Sequence, residues 1–182
     1  AAIESVLAQD FADFEFLIVN DGSRDGSAAI IDDYAARDSR IRPIHRENKG
    51  LIVSLNELVE KSRAPLIARM DGDDIAMPER FARQKAFLDS HPDHGLVGTW
   101  IAAMDEEGQP WPGCNVDYPT DHRGLVAAIG RGPLLCHPSV MMRRDLVLGA
   151  GGYHAAFRYC EDLDLWLRLC AVTKMCSIPE RL

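Results

Sequence analysis

An apolar stretch followed by a polar turn and an amphipathic helix pattern occurs three times in the first half of the chain. The apolar stretches cover residues 14–19, 41–45 and 65–70, and the helices predicted after them cover 27–36, 51–61 and 78–90. Parallel strands need a long crossover between them, usually a helix, so this alternation indicates an α/β domain with a largely parallel sheet.

The second half of the chain is less regular. We predict strands over 96–104 and 139–142, a loop rich in proline and glycine over 109–120 and a short helix over 125–129. A longer helix is predicted over 161–171, and the spacing of its apolar residues indicates a buried face formed by Leu163, Trp166, Leu167 and Cys170.

Length and charge exclude several classes of protein. The 182 residues suffice for one domain, and no apolar run reaches the ~18 residues that a membrane span needs. The net charge of -8 argues against a surface that binds nucleic acid. Five cysteines without a CxxC pair indicate neither a disulfide framework nor a structural zinc site, and the start of the chain does not resemble a signal peptide. We therefore expect a cytoplasmic protein.

Three carboxylates follow the third predicted strand, at Asp71, Asp73 and Asp74. Like charges this close repel one another, and a divalent cation would remove the conflict. A calcium-binding EF-hand is excluded because Ile75 and Ala82 occupy the fifth and twelfth positions, and Ile75 also stands where an aspartyl phosphatase needs threonine. The cluster therefore predicts Mg²⁺ or Mn²⁺ bound jointly with a diphosphate, the alternative being a solvated loop.

Two further polar segments are candidates for the same site. Residues 20–23 follow the first predicted strand, and ligands of parallel α/β sheets lie beyond the carboxyl ends of the strands, so this loop and the acidic cluster could converge on one ligand. Glu161 and Asp162 begin the helix 161–171, after a flexible, aromatic stretch over 149–159 that suits a base facing a sugar hydroxyl. For residues 20–23 the alternative is a turn that caps the next helix. For Glu161 and Asp162 it is simple compensation of the helix dipole.

Five segments, in this order, resemble the family 2 glycosyltransferases with the GT-A fold: SVLAQDFADFEFLIVNDGSRDGS, NKGLIVSLNE, IARMDGDDIAMPERFARQ, HPSVMMRR and GGY…EDLDLWLRL. The resemblance spans essentially the whole chain. It implies a three-layer α/β/α sandwich with a largely parallel, mixed central sheet, and a single GT-A domain over 1–182. Residues 1–95 would be the half that binds the nucleotide sugar, and 96–182 the half that binds the acceptor.

The resemblance also implies roles for particular residues. Asp71 and Asp73 would form the Asp-x-Asp motif, with Asp73 on a Mn²⁺ or Mg²⁺ ion and Asp71 near the ribose or the metal. Asp162 would be the general base. Four more residues would contact ligands: Asp21 the nucleotide base, Lys49 the nucleotide or its phosphates, and His137 and Glu161 the acceptor side. For His137, packing beside Pro138 is an equally good interpretation.

The sequence departs from the family pattern at both ends. Members normally begin with a strand and a loop resembling Pro-x-Tyr-Asn, and many carry a metal-binding histidine after the last strand. Neither feature is in the sequence, which ends at Arg181 and Leu182. We therefore expect that the chain lacks the family's first strand and C-terminal tail.

The resemblance predicts a metal-dependent, inverting glycosyltransferase. It would move a sugar from a nucleotide-diphosphate sugar to a hydroxyl of a glycan or glycolipid, in bacterial cell-surface polysaccharide or glycolipid synthesis, with peripheral association at the inner face of the membrane. One alternative is a catalytically silent module that binds nucleotide sugars. Another is a metal-dependent nucleotidyltransferase, which would want a basic phosphate-binding loop near the N-terminus.

Overall fold

The computed structural model describes all 182 residues. The helices are α1 (Ala2–Leu7), α2 (Ser27–Arg37), α3 (Leu51–Lys61), α4 (Arg80–Ser90), α5 (His122–Ala128), α6 (Arg144–Gly149) and α7 (Glu161–Cys170). The strands are β1 (Phe16–Asn20), β2 (Ile41–His45), β3 (Leu66–Ala68), β4 (His94–Trp100), β5 (Met141–Arg143) and β6 (Lys174–Arg181), and short 3-10 helices cover His137–Ser139 and Ala155–Phe157. None of the helices combines the length and the apolar character needed to cross a bilayer.

The strands form two sheets, one with parallel strands and one mixed. β1 and β2 pair in parallel over their full length. The other sheet has the order β3-β5-β4-β6, in which β5 is antiparallel to both of its neighbours and β6 is parallel to β4. The predicted α/β class with a mixed sheet is confirmed, as is the order of strands and helices in the first half.

A groove of about 1150 Å³ lies between the two sheets. β1 pairs only with β2 and β3 pairs only with β5, so each of these strands has one unpaired edge. Residues of β1 and β3 line the groove together with residues of α1, α2 and α3, and most of the lining side chains are hydrophobic. The carboxyl ends of β1 and β3 therefore open onto a common space.

The second half differs from the sequence prediction at two strands. The strand predicted over 96–104 runs from His94 to Trp100, and beyond it Ile101 and Met104 form only isolated bridges. Its pairing with β6 changes register after Thr99, which marks where the regular ladder breaks up. β6 was not predicted, because its sequence, KMCSIPER, contains a proline and charged residues that interrupt a strand pattern.

The predicted buried face of α7 was right for Trp166 and wrong for Leu163 and Leu167. Leu163 and Leu167 are 41% and 43% exposed, whereas Leu165, Trp166 and Leu169 are almost fully buried. The helix has apolar residues at helical spacing on two overlapping faces, and periodicity alone does not choose between them. The large core cluster that contains Leu96, Met142 and Met175 takes the face with Leu165 and Leu169.

Candidate functional site

The acidic loop after β3 forms a compact cluster of carboxylates. Oxygen atoms of Asp71, Asp73 and Asp74 lie within 4.8 Å of one another. One carboxylate oxygen of Asp74, Oδ2, is buried without a hydrogen-bond partner. Burial, followed by the charges of Asp71 and Asp73, raises the pKa of Asp74. This excess of negative charge, with an uncompensated buried oxygen, suits the hard oxygen ligation that Mg²⁺ and Mn²⁺ prefer.

Arg69 provides the positive charge nearest to this loop. Its Nη1 and Nη2 atoms contact Oδ2 and Oδ1 of Asp71 at 2.8 and 2.6 Å, a two-point pairing that fixes the plane of the carboxylate. The side chain of Arg69 is only 9% exposed. Sequence reasoning missed this residue, because a lone arginine just after a strand has no distinctive pattern.

A second buried arginine supports the loop from α4. Arg80 donates from Nη2 to the carbonyl oxygen of Arg69 at 2.6 Å and from Nε to Gln84 at 3.1 Å. Gln84 in turn donates to the carbonyl oxygens of Val97 and Ser139. Burial lowers the pKa of Arg80 to about 10. The end of β3 is thus held by polar side chains buried beneath it, which keeps the acidic loop in place.

Asp21 ties together two loops at the carboxyl ends of β1 and β2. Its carboxylate accepts from Arg46 Nε at 2.9 Å and from the backbone N–H groups of Lys49 and Gly50 at 3.0 and 2.8 Å. Burial alone would raise the pKa of Asp21, but these hydrogen bonds hold it below its usual value. Gly22, at φ 83°, permits the close approach, since a Cβ there would lie 2.8 Å from the amide nitrogen of Asn48.

The loop after β1 and the acidic loop after β3 both line the groove between the two sheets. Asn20 and Ser23, on either side of Asp21, line it together with Asp71 and Gly72. The side chain of Lys49 is exposed, while its backbone is held by Asp21. Joint binding of one ligand by Asp21 and Asp73 stays a prediction.

His137 lies in the protein interior rather than on an open loop. It is 8% exposed, its Nε2 atom lies 2.9 Å from the hydroxyl oxygen of Tyr153, and its ring packs edge-on against Trp166. Burial, and after it the charge of Arg69, lowers the pKa of His137 to about 3. The imidazole is therefore neutral, and its role toward an acceptor or a diphosphate stays a prediction.

Tyr153 connects the two sides of the site. Asn56 of α3 fixes its backbone, accepting from the Tyr153 N–H and donating to the Tyr153 carbonyl, each at 2.8 Å. Burial raises the pKa of the Tyr153 hydroxyl, Arg69 opposes this rise, and the charges of Asp162 and Glu161 add to it. The arginine of the acidic loop and the acidic start of α7 thus both act on one hydroxyl group. In the sequence Tyr153 stood out only as the end of GAGGY.

The acidic residues of α7 differ in how far they are already engaged. Asp164 pairs with Arg168, at 2.6 Å, and with His154, at 3.2 Å, so its carboxylate is committed to the fold. Glu161 is 8% exposed. Asp162 is partly exposed and accepts a hydrogen bond only from the neighbouring Leu163 N–H, at 2.8 Å. Neither Glu161 nor Asp162 is held by an ion pair, and Asp162 is the more exposed of the two.

The fold is that of the GT-A glycosyltransferases. The mannosyltransferase PcManGT from Pyrobaculum calidifontis, solved in complex with GDP-Man and Mn²⁺, superposes with a TM-score of 0.73, covering 98% of this chain and 50% of that one at 14% sequence identity. At this level of identity the similarity establishes the fold alone.

The sequence profile of Glycosyl transferase family 2 matches residues 1–148, and the chain belongs to this family. The chain is 37% identical over 171 residues to EpsE of Bacillus subtilis, covering 92% of this chain and 60% of that protein. It is 32% identical over 169 residues to the O-antigen biosynthesis glycosyltransferase WbnJ of Escherichia coli, covering 92% of this chain and 65% of WbnJ. The chain thus spans less than two thirds of the length of these relatives.

Proposed function

We propose that the protein is a metal-dependent, inverting glycosyltransferase that moves a sugar from a nucleotide-diphosphate sugar to a hydroxyl group of a glycan or glycolipid. The observation that carries this proposal is the cluster of Asp71, Asp73 and Asp74 after β3, in which a buried Asp74 oxygen has no hydrogen-bond partner. At the start of α7, Asp162 is partly exposed and accepts a hydrogen bond only from the Leu163 N–H. The cluster suits a cation that binds a charged leaving group, and Asp162 suits a base for the nucleophile.

On the donor side, Asp73 and Asp71 would hold the divalent cation, Mn²⁺ or Mg²⁺. When bound, the cation supplies positive charge that stabilises the departing diphosphate. The donor set fits, because the clustered carboxylates include a buried oxygen of Asp74 that has no hydrogen-bond partner in the protein. The complex of PcManGT with GDP-Man and Mn²⁺ supports the same kind of ligand here.

The nucleotide would lie against the loops that Asp21 holds together. We assign Asp21 to the nucleotide base, and Lys49 to the phosphates because its exposed ammonium group is free to approach them. Asp21 keeps the backbone of Lys49 and Gly50 in place, so it would shape this pocket as well as contact the base.

On the acceptor side, Asp162 would act as the general base. It takes the proton of the acceptor hydroxyl while that oxygen attacks the anomeric carbon, and the bond from this carbon to the diphosphate oxygen breaks on the opposite face. Attack from the opposite face inverts the anomeric carbon. Glu161 and His137 would line the acceptor side, with His137 neutral and hydrogen-bonded to Tyr153.

The name of WbnJ supports a setting in the synthesis of a bacterial surface polysaccharide. A nucleotide-sugar donor and a glycan acceptor follow from that setting. We further propose that the enzyme works in the cytoplasm and associates peripherally with the inner face of the membrane, where lipid-linked acceptors would be presented.

Donor binding and donor turnover test the proposal together. The protein is screened by thermal shift against UDP-, GDP-, dTDP- and ADP-sugars with and without Mn²⁺, and release of the nucleoside diphosphate is measured for each donor. One donor at a hundred times its dissociation constant should add about 2.7 kcal/mol of stability, and only when Mn²⁺ is present. Stabilisation without any release, across a panel of sugar acceptors, would identify a silent binding module. No stabilisation by any donor would contradict the proposal.

A further inference from the structure

The turn just before α7 has an unfavourable residue at its most demanding position. Residues 157–160 form a β-turn closed by a hydrogen bond from the Cys160 N–H to the Phe157 carbonyl, at 3.0 Å. Arg158, at φ -57° and ψ 130°, and Tyr159, at φ 72°, give it the shape of a type II turn. That shape needs a positive φ at its third residue, which glycine or asparagine adopts most easily. Tyr159 is the one residue other than glycine with a positive φ.

The side chain of Tyr159 contributes little that would offset this strain. Its side chain is 86% exposed, so burial contributes little, and its hydroxyl makes no hydrogen bond within the protein. The contact that it does make is with Arg158, whose guanidinium carbon lies 5.0 Å from the ring centre and covers part of one face. Strained, exposed positions of this kind are found at functional sites, because a tight turn presents the side chain in a fixed direction.

The turn is attached firmly to the helix that carries Asp162. The N–H of Asp164 donates to the carbonyl oxygen of Cys160, at 3.0 Å, so the last residue of the turn begins α7. Phe157, 44% exposed, packs beside His154, whose Nδ1 atom lies 3.2 Å from Asp164. Tyr159 is three positions before Asp162. An aromatic ring is thus presented to solvent three residues before the proposed general base.

We propose that Tyr159 is a stacking platform for a sugar ring of the acceptor, an inference that rests on the proposed glycosyltransferase function. The C–H face of a pyranose is apolar and packs on an aromatic face, while its hydroxyl groups remain free at the rim. Arg158 lies over one face of the Tyr159 ring, so the sugar stacks on the other. Stacking would place the ring so that one of its hydroxyl groups reaches Asp162. The platform therefore selects an acceptor that ends in a sugar rather than a bare lipid phosphate.

Two substitutions at Tyr159 distinguish the effect of the aromatic ring from the effect of the backbone strain. Tyr159→Asn removes the ring and suits a positive φ, and Tyr159→Phe keeps the ring and the strain. The probes are methyl glycosides of glucose, galactose, mannose and N-acetylglucosamine, whose binding to the intact protein is followed by saturation-transfer NMR. We expect at least one glycoside to bind the wild type and Tyr159→Phe, with affinity reduced roughly tenfold or more in Tyr159→Asn. The melting temperature of Tyr159→Asn should rise by about 2 to 6 °C as the strain is relieved.

A matched control is Trp111→Asn, which removes another exposed aromatic side chain, 58% accessible, from a loop elsewhere on the chain. It should leave glycoside binding unchanged. The proposal is overturned if no glycoside binds the wild type or if Tyr159→Asn binds glycosides as well as the wild type does. It is also overturned if Trp111→Asn weakens glycoside binding as much as Tyr159→Asn does. Loss of binding to anionic lipid vesicles in Tyr159→Asn, with glycoside binding intact, would also overturn it, in favour of a membrane contact. Donor release is measured separately, so a failure of the glycosyltransferase assignment is told apart from a failure of the platform.

Discussion

The guanidinium group of Arg69 pairs with both oxygens of the Asp71 carboxylate, at 2.8 and 2.6 Å. The pair joins the residue that directly follows β3 to the first carboxylate of the acidic loop. Arg69 therefore neutralises part of the charge that a divalent cation would otherwise have to neutralise. Removing Arg69 should therefore increase the stabilisation that a divalent cation provides.

Arg69→Met should lower the stability of the metal-free protein by about 1 to 3 kcal/mol, because a charge-assisted pairing is lost. The three carboxylates then repel one another with less compensation, so Mn²⁺ should stabilise Arg69→Met more than it stabilises the wild type. Urea unfolding with and without Mn²⁺ measures both effects. Arg123→Met removes an exposed arginine and serves as the control. Equal stabilisation of Arg69→Met and the wild type by Mn²⁺ would show that Arg69 does not act on the cation site.

Asp73→Asn tests the proposed cation ligand. Asp73 is the exposed member of the acidic cluster, so the substitution should change stability little while removing an anionic ligand. Calorimetry with the donor identified by the screen should show Mn²⁺-dependent binding weakened by about tenfold or more, which corresponds to 1.4 kcal/mol. The control is Asp145→Asn, since the side chain of Asp145 is 94% exposed. Undiminished Mn²⁺-dependent binding would mean that the cluster is a solvated loop.

Asp162→Asn separates binding from chemistry. The amide keeps the size of the side chain and its acceptor for the Leu163 N–H but cannot take a proton. Donor binding should survive, and sugar transfer should fall by roughly 10²- to 10⁴-fold. If Asp162 only compensates the helix dipole, transfer should persist and stability should fall by about 0.3 to 1 kcal/mol.

Asp164→Asn is the comparison for Asp162→Asn. Asp164→Asn should destabilise the protein, whereas Asp162→Asn should change its stability little. Asp164 is paired with Arg168 and His154, so losing its charge should lower the melting temperature. A melting temperature lowered as much by Asp162→Asn as by Asp164→Asn would argue that Asp162 too is held by the fold.

His137 predicts a pH dependence of stability. Its pKa is lowered by burial, and further by the charge of Arg69, from the usual 6.5 to about 3 in the folded protein. Between these two values the unfolded chain binds a proton that the folded protein does not, so stability falls as the pH is lowered through this window. The loss approaches about 1.4 kcal/mol for each pH unit.

Urea unfolding of the wild type and of His137→Gln, between pH 7 and pH 4, measures this contribution, since the carboxylates titrate alike in both proteins. The difference in stability between the two should shrink steadily as the pH falls. A constant difference would mean that His137 takes up its proton over the same pH range in the folded protein as in the unfolded chain, and hence that its surroundings are more polar than the packing around Trp166 indicates.

The sequence allowed prediction of the elements that depend on local periodicity. The three strand and helix units of the first half, and the acidic loop directly after β3, lie where the apolar stretches placed them. The exposed Leu163 and Leu167 could not be predicted, because the rotation of α7 is decided by what packs on it. The strand β6 was missed because it forms through pairing with β4 rather than through its own composition.

The chemistry of the candidate site was predictable only in part. Asp71, Asp73 and Asp74 stood out because three carboxylates within four positions follow a strand, whereas the role of Asp162 came from the family resemblance. Arg69 and Tyr153 did not stand out, because a lone arginine just after a strand and a tyrosine after two glycines have no distinctive pattern. Their importance arises from contacts over long sequence distances, such as that between Tyr153 and Asn56 of α3.

The division into two sheets bears on how the protein opens under native conditions. No ladder of backbone hydrogen bonds joins β1 and β2 to the other four strands. The unit formed by residues 16–61 is held instead by side chains, including Asn56 on the backbone of Tyr153 and Arg144 on the carbonyl oxygens of Val59 and Glu60. We therefore expect this unit to open more readily than the four-stranded sheet, although Leu55 and Val59 of α3 also pack in the large core. Amide protons of β1 and β2 should exchange with solvent deuterium at a lower free energy than those of β4. Because Asn56 fixes Tyr153, each such excursion would also release the tyrosine beneath the candidate site.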